Sequence, residues 1–242
     1  MKKLFARTFI IVFILMIIFS NPSISVLGQD MEPDPPVSTF ADDSTQSSVV
    51  LNKVLDNGDN LIHGFIFDDG YLWASTRTSP TRILKINPLT FDYERIILSS
   101  GLNQGEDIIS AGGYIWVVLH TYPAKLVKIN PNTMAWEVAI SFQSNEVIYG
   151  GSLVYANGSL WVGGQDRKIA RGNIENLNYQ IFYYPEIFSS TQFHAMTSGG
   201  GFLWASAPQS YRSAILKIDL NNPSDYSYVT IDDQLPDDMV YV

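Results

Sequence analysis

Cysteine is absent from all 242 residues, which excludes disulfide staples, cysteine nucleophiles and lipid attachment through a thiol. Stability must then come from core area. Basic charge is scarce as well, with 15 Lys and Arg against 24 Asp and Glu. Binding a phosphate backbone takes a basic patch that releases counterions, so nucleic acid is not expected as a partner. Histidine occurs only as His63, His120 and His194. The chain also lacks a serine nucleophile elbow, a phosphate-cradling glycine loop and an HExxH motif. No compact catalytic constellation is left to read.

What is present begins with a leader. Lys2, Lys3 and Arg7 precede an apolar run from Phe9 to Phe19, too short for a comfortable membrane span, and small residues follow up to Gly28. Residues 1–28 read as a secretory signal, with an uncleaved anchor as the alternative route to a membrane. Its removal takes three positive charges, leaving 12 basic against 24 acidic residues, a net −12. Residues 29–48, rich in Asp, Pro and Ser, read as a solvated tether. The expected location is secreted or cell-surface.

From residue 49 onward the chain repeats itself. Trp73, Trp116, Trp161 and Trp204 are 43, 45 and 43 residues apart, each in a G-x-[LI]-W strand. Each strand opens on a turn pair, Asp69-Gly70, Gly112-Gly113, Asn157-Gly158 or Gly200-Gly201, of the kind that makes a two-residue hairpin. A second motif keeps the same period: ILKINP at 83–88, LVKINP at 126–131, IARGNI at 169–174 and ILKIDL at 215–220. The short, β-branched and aromatic runs argue four strands per copy, in the first copy near 64–67, 71–75, 83–86 and 93–98. Four antiparallel strands in about 44 residues make the blade of a β-propeller. The reading is an all-β propeller of four-stranded antiparallel blades over 49–242, with complete repeats at 62–98, 105–143, 150–185 and 193–231. Partial strands are expected at each end, VVLNKVL at 49–55 and DDMVYV at 237–242. This pattern reads as a piece of a longer propeller continuing beyond Val242; closure with four blades, or by pairing with another chain, is the alternative. Blades stacked face to face bury both sides of the second strand, so the tryptophans are expected in the core rather than stacked on a ligand.

The G-x-[LI]-W strand and the [IL]-[LV]-K-I-[ND]-P motif resemble the secreted propellers grouped as YVTN, quinoprotein-like and virginiamycin B lyase-like repeats. The resemblance implies the propeller fold and a site on the face around the channel mouth. For the lyase-like members it implies His and Glu on that face with magnesium, and an acid after the strand tryptophan. This chain departs there: Trp73-Ala74-Ser75-Thr76, Trp116-Val117-Val118-Leu119, Trp161-Val162-Gly163-Gly164 and Trp204-Ala205-Ser206-Ala207 carry no acid.

Counting from each tryptophan maps the mouth. Ten residues before lie His63, Glu106, Gly151 and His194, with Asp237 aligned from the C-terminus, and four after lie Arg77, His120, Gln165 and Pro208. His63, Glu106 and His194 are candidate ligands for Mg or Ca, or an acid–base set, because imidazole and carboxylate serve both roles. The alternative is polar loop residues that satisfy backbone groups. The loops between second and third strands gather Arg77, Arg82, Tyr122, Lys125, Arg167, Lys168, Tyr211 and Arg212. Of these, Arg77, Tyr122 and Arg212, together with His120, are candidate anchors for a protein, a carbohydrate or a small anionic ligand. Lys85, Lys128, Arg171 and Lys217 are expected to lay their stems over apolar surface. Asn157-Gly158-Ser159 matches a glycosylation acceptor but reads as a turn. The expected function is a binding scaffold acting at the channel mouth; the alternative is a metal-dependent lyase or hydrolase at the same face.

Overall fold

A computed structural model describes residues 54–56, 58–187, 192–209 and 212–231. The strands proposed at 49–55 and 237–242, the leader and the tether fall wholly or mostly outside these residues. The first sheet contains β1 (Ile62–Asp68), β2 (Tyr71–Thr76), β3 (Arg82–Ile86) and β4 (Tyr93–Ile97). The second contains β5 (Gly105–Ala111), β6 (Tyr114–Leu119), β7 (Lys125–Ile129) and β8 (Trp136–Ser141). β9 (Ser152–Ala156), β10 (Ser159–Gly163), β11 (Lys168–Asn173) and β12 (Tyr179–Tyr183) form the third. The fourth is β13 (Met196–Gly199), β14 (Phe202–Gln209), β15 (Arg212–Asp219) and β16 (Tyr226–Ile231). Every sheet is an antiparallel meander in chain order. The architecture is a β-propeller with four complete blades, and the first strands β1, β5, β9 and β13 lie side by side in succession.

Local chemistry explains the regularity. The turn pairs adopt left-handed φ angles of 45° and 80° at Asp69-Gly70, 58° and 76° at Gly112-Gly113, and 47° and 71° at Asn157-Gly158. Two consecutive left-handed residues match the twist of the strands they join. At the far end of each blade a side-chain cap recurs. Asn87 Oδ1 accepts from the amides of Leu89 (2.9 Å) and Thr90 (3.3 Å). Asn130, Asn173 and Asp219 repeat the arrangement in the other blades. The polar residue after K-I is therefore an Asx turn that reverses the chain between third and fourth strands.

The two sequence motifs share a period because they face each other. Trp73 pairs across the ladder with Lys85, Trp116 with Lys128, Trp161 with Arg171 and Trp204 with Lys217. Each cation lies over the indole at 5.2–5.7 Å, and over the aromatic two residues earlier where one exists. Lys128 Nζ is 3.8 Å from the Tyr114 ring centre, and Lys217 Nζ is 3.9 Å from that of Phe202. In the third blade Ser159 takes the aromatic position, and there the cation is Arg171, whose Nε donates to Ser159 Oγ (3.2 Å). The stems do cover apolar surface; a cation–π contact adds to it.

Three cores fill the seams between successive blades. Trp73 joins Ile108, Ile115 and Val117 of the second blade; Trp116 joins Leu153, Leu160 and Val162 of the third; Trp161 joins Leu203, Leu216 and Ile218 of the fourth. Those three indoles are at most 1% exposed, and Trp116 Nε1 donates to the Ala111 carbonyl (3.0 Å), so burial leaves no unmet donor. Trp204 is only half-buried. Replacing Trp116 by alanine is expected to cost about 3–5 kcal/mol in urea unfolding, and Trp204→Ala distinctly less. Equal losses at the two positions would contradict the stacked-blade arrangement.

Candidate functional site

The loops before each first strand and those after each second strand are tied together at one end of the blades. Arg77 N donates to the Leu61 carbonyl (2.9 Å), His120 N to that of Gln104 (2.8 Å) and Tyr149 N to that of Thr121 (2.9 Å). In the first two blades the strand itself is deformed at this end. The β1–β2 register shifts between Ile62 and Phe65, and the β5–β6 register between Gly105 and Ile108. Such bulges re-aim side chains, here His63 from β1 and Glu106 from β5. Close approach of the inner strands is required: a Cβ on Gly64 would stand 2.8 Å from the Glu106 carbonyl.

His63, Arg77 and Glu106 meet directly. Arg77 Nε is 2.9 Å from Glu106 Oε2, and His63 Nε2 is 3.6 Å from Glu106 Oε1. Glu106 is 7% exposed, and its Oε2 makes no aligned hydrogen bond despite the ion pair. Burial outweighs the attraction of Arg77, and with a smaller push from Asp107 it raises the Glu106 carboxyl to about 7. His63 Nδ1 is 3.3 Å from the Glu106 carbonyl, an acceptor, so the ring proton sits on Nδ1 and a neutral imidazole turns the lone pair of Nε2 toward the carboxyl. Burial, Arg77 and His194 all hold the His63 pKa below the ordinary histidine value, against that carbonyl's opposite pull. Both shifts favour the uncharged forms, a protonated carboxyl and a neutral imidazole.

The other two histidines lie within electrostatic range. His120 is held low chiefly by burial, then by Arg77, with His194 and His63 adding to the effect. Gln192 Nε2 donates to the Tyr149 carbonyl (3.0 Å) and lies 3.1 Å from His120 Nδ1, which as the acceptor leaves that imidazole neutral. Tyr149 packs between His120 and Tyr122, with ring centres 5.2 and 5.7 Å away. His194 is exposed. Arg212 is exposed at the start of β15, at the end of the elongated β14–β15 hairpin.

Other expected rim residues serve the scaffold. Arg82 Nη1 and Arg95 Nη1 each donate to the buried Asp59 at 2.8 Å. Arg167 donates to the Pro185 carbonyl (2.9 Å), and Lys168 Nζ to that of Asn145 (2.6 Å). Tyr211 and Asp237 lie outside the described residues. Among the described residues no three His, Cys, Asp or Glu side chains converge as a metal-ligand set, and Arg77 takes the place beside Glu106 Oε2 that a cation would occupy. A shallow cleft of about 430 Å³ lies elsewhere, lined by Phe182, Tyr184 and Tyr226. Edge-to-face packing of Tyr184 on Tyr226 (4.8 Å) and Phe193 (6.2 Å) marks it as a seam between blades.

Counting outward from the tryptophans reaches this end of the blades but stops two residues short. Twelve residues before each tryptophan stand Leu61, Gln104, Tyr149 and Gln192, and the last two contact His120. The same spacing extended by two would have found them. Asp107 had no such signal: its Oδ2 accepts from Leu153 N (2.8 Å) across the second seam.

The Glu106 carboxyl binds its proton more tightly folded than unfolded, so its stabilising contribution is complete below about pH 4.5 and is lost as pH rises through about 7. Glu106→Gln is expected to match the parent protein in acid and to exceed it at pH 8, by up to about 3 kcal/mol. Thermal unfolding of both proteins across that range checks it; parallel curves would refute the raised carboxyl.

A family model described as a repeat of unknown function, DUF6923, matches residues 44–181. A comparison with curated proteins finds no match. Among solved structures the chain is similar to the extracellular domain of a hybrid two-component system, BT4673, from B. thetaiotaomicron (20% identity, TM-score 0.54, 69% of this chain and 23% of that one). It is similar also to the WD40 repeats of RRP9 (12% identity, TM-score 0.56, 74% and 53%). The chain thus spans about a quarter and about half the length of these two structures, and at such identities the likeness is one of fold. Repeats that stack as blades, matched over more than half of the sequence, make this chain a member of the DUF6923 repeat family.

Proposed function

We propose that the protein is an exported recognition scaffold whose channel mouth takes an anionic ligand, a carboxylate- or phosphate-bearing group. One observation carries the reading: Arg77 and three imidazoles stand about a mouth whose buried Glu106 carboxyl is raised to about 7 and so carries only part of its charge near neutrality. In a chain of net charge −9, that is a local excess of donors and cationic capacity. Tyr122, 59% exposed, and Tyr149 offer an aromatic wall beside it. An extended anion could also reach Arg212. Export rests on the N-terminal pattern of Lys2, Lys3, Arg7 and the apolar run, and is supported by the likeness to an extracellular sensor domain. The finer kinship with YVTN, quinoprotein-like and lyase-like propellers belongs to the same reading.

An entering anion favours protonated imidazole and a protonated Glu106, so binding takes up protons. Calorimetry with citrate and with inorganic phosphate should therefore give an affinity that rises as pH falls from 8 to 6, with Arg77→Gln losing at least about tenfold. Binding of neither anion, or binding indifferent to Arg77→Gln, would defeat the proposal. Stoichiometric uptake of Mg²⁺ or Ca²⁺ that disappears with His194→Ala would instead favour the metal-dependent lyase or hydrolase.

A further inference from the structure

The mouth carries side chains on backbone that would be relaxed as glycine. Leu61, Gln104 and Tyr149, each twelve residues before a strand tryptophan, have left-handed φ angles of 55°, 56° and 48°. A Cβ is crowded in that conformation, and for a bulky residue it is an outlier. Elsewhere the same strain has a visible reason: Phe91, Met134 and Leu177, at φ of 58–60°, pack on apolar clusters of their blades. By contrast, Leu61 is 64% exposed and Gln104 is exposed too. A strained side chain left in solvent at a rim points to use by a ligand rather than to packing.

Backbone bonds hold these residues beside the polar groups of the mouth. The Leu61 carbonyl accepts from Arg77 N and the Gln104 carbonyl from His120 N, while Gln104 N donates to Thr78 and Tyr149 N to Thr121, all over 2.8–2.9 Å. Gln192, at the same offset in the fourth blade, donates from Nε2 to the Tyr149 carbonyl (3.0 Å) and lies 3.1 Å from His120 Nδ1. Arg77 turns Nε to Glu106 and keeps 40% of its side chain exposed, which presents its terminal fork to a carboxylate. One guanidinium beside imidazoles held below their ordinary pKa suits a monoanion better than a phosphate dianion. Amides and neutral imidazoles both donate and accept, as a row of hydroxyls does. The Tyr122 ring, 59% exposed and held 5.7 Å from Tyr149, offers a flat face to a saturated ring.

We propose that the left-handed residues are the specificity-determining layer of the mouth, and that they read the body of an acidic sugar, a hexuronate whose carboxylate lies on Arg77. Leu61 and Tyr122 meet the apolar faces of the sugar ring, and Gln104 and Gln192 pair with its hydroxyls. The inference rests on the anion-binding reading above and narrows it from carboxylates and phosphates in general to a carboxylate on a hydroxylated ring. A peptide carboxylate would also meet Arg77, but it lacks the adjacent hydroxyls that the amides and imidazoles are set to take.

Calorimetry of the whole chain at pH 6 with trigalacturonate, neutral galactotriose, citrate and N-acetylglycylglycine tests it. Trigalacturonate should bind at least about tenfold tighter than each of the others, and Arg77→Gln should reduce it to the level of galactotriose. Gln104→Gly and Leu61→Gly relax the backbone, so each should unfold at a temperature no lower than the parent's. Each should nevertheless weaken trigalacturonate at least about fivefold more than it weakens citrate. A purely structural role gives the reverse, a lower unfolding temperature with the preference intact. If citrate binds through Arg77 but trigalacturonate has no advantage over it or over the peptide, or if the glycine variants keep that advantage, the sugar inference falls and the anion reading stands. If none of the anions binds, both fall. Should Gln104→Gly fail to fold, Gln104→Asn, which tolerates the same backbone with a shorter amide, gives the same readout.

Discussion

The structure depends on one repeated contact, an indole lying between two sheets with a cation from the neighbouring strand above it. The cross-strand pairing of Trp73 with Lys85, and its three equivalents, fixes the register of the second and third strands. It also fills the space between blades with the largest side chain available, where packing to interior density matters most. The cation supports the ring from the strand side while its stem shields the indole edge. The substitution of Arg171 and Ser159 in the third blade keeps the same function with different atoms: a planar guanidinium stacks and hydrogen-bonds where an aromatic neighbour is missing.

A rigid array of this kind leaves little freedom for chemistry within the sheets, so variety collects at the mouth. There the two bulged strands aim His63 and Glu106 away from the ladder. The first and second blades meet so closely that their seam is lined by Gly64, Gly105 and Ser75, and Ser75 Oγ donates to the Glu106 carbonyl (3.3 Å). A carboxyl carried into this tight, poorly solvated junction is expensive to ionise, which explains why a residue paired with arginine still titrates near neutrality.

The fold was almost entirely legible in the sequence because its causes are local and repeated. A turn pair with left-handed geometry, a strand tryptophan and a K-I-[ND] segment each leave a mark at a fixed offset, and four copies make the offset plain. The assignment of the three histidines to one region followed from the same counting. What stayed hidden depends on contacts without a period. Asp59 pairs with Arg82 and Arg95 only because Asp56 and Asp59 lie back against the first blade, which makes an expected rim arginine a structural one. The Asx caps at Asn87 and Asn130 leave no mark beyond a polar residue before proline, a pattern that does not tell which amides its side chain takes.

Stacked blades touch only their neighbours, so the molecule behaves as a short one-dimensional crystal. Among the described residues, blades two and three are sandwiched, while the outer pair each rest on a single support. Local opening in an isolated chain therefore starts at the margins and travels inward, and amide protection should grade from the ends toward the middle. Glu106, His120 and Tyr149 belong to that durable centre, whereas His63 and His194 ride on the parts that loosen first. The mouth thus joins a persistent half to a yielding half, an arrangement in which occupancy by a ligand would be felt as stiffening of the flanks.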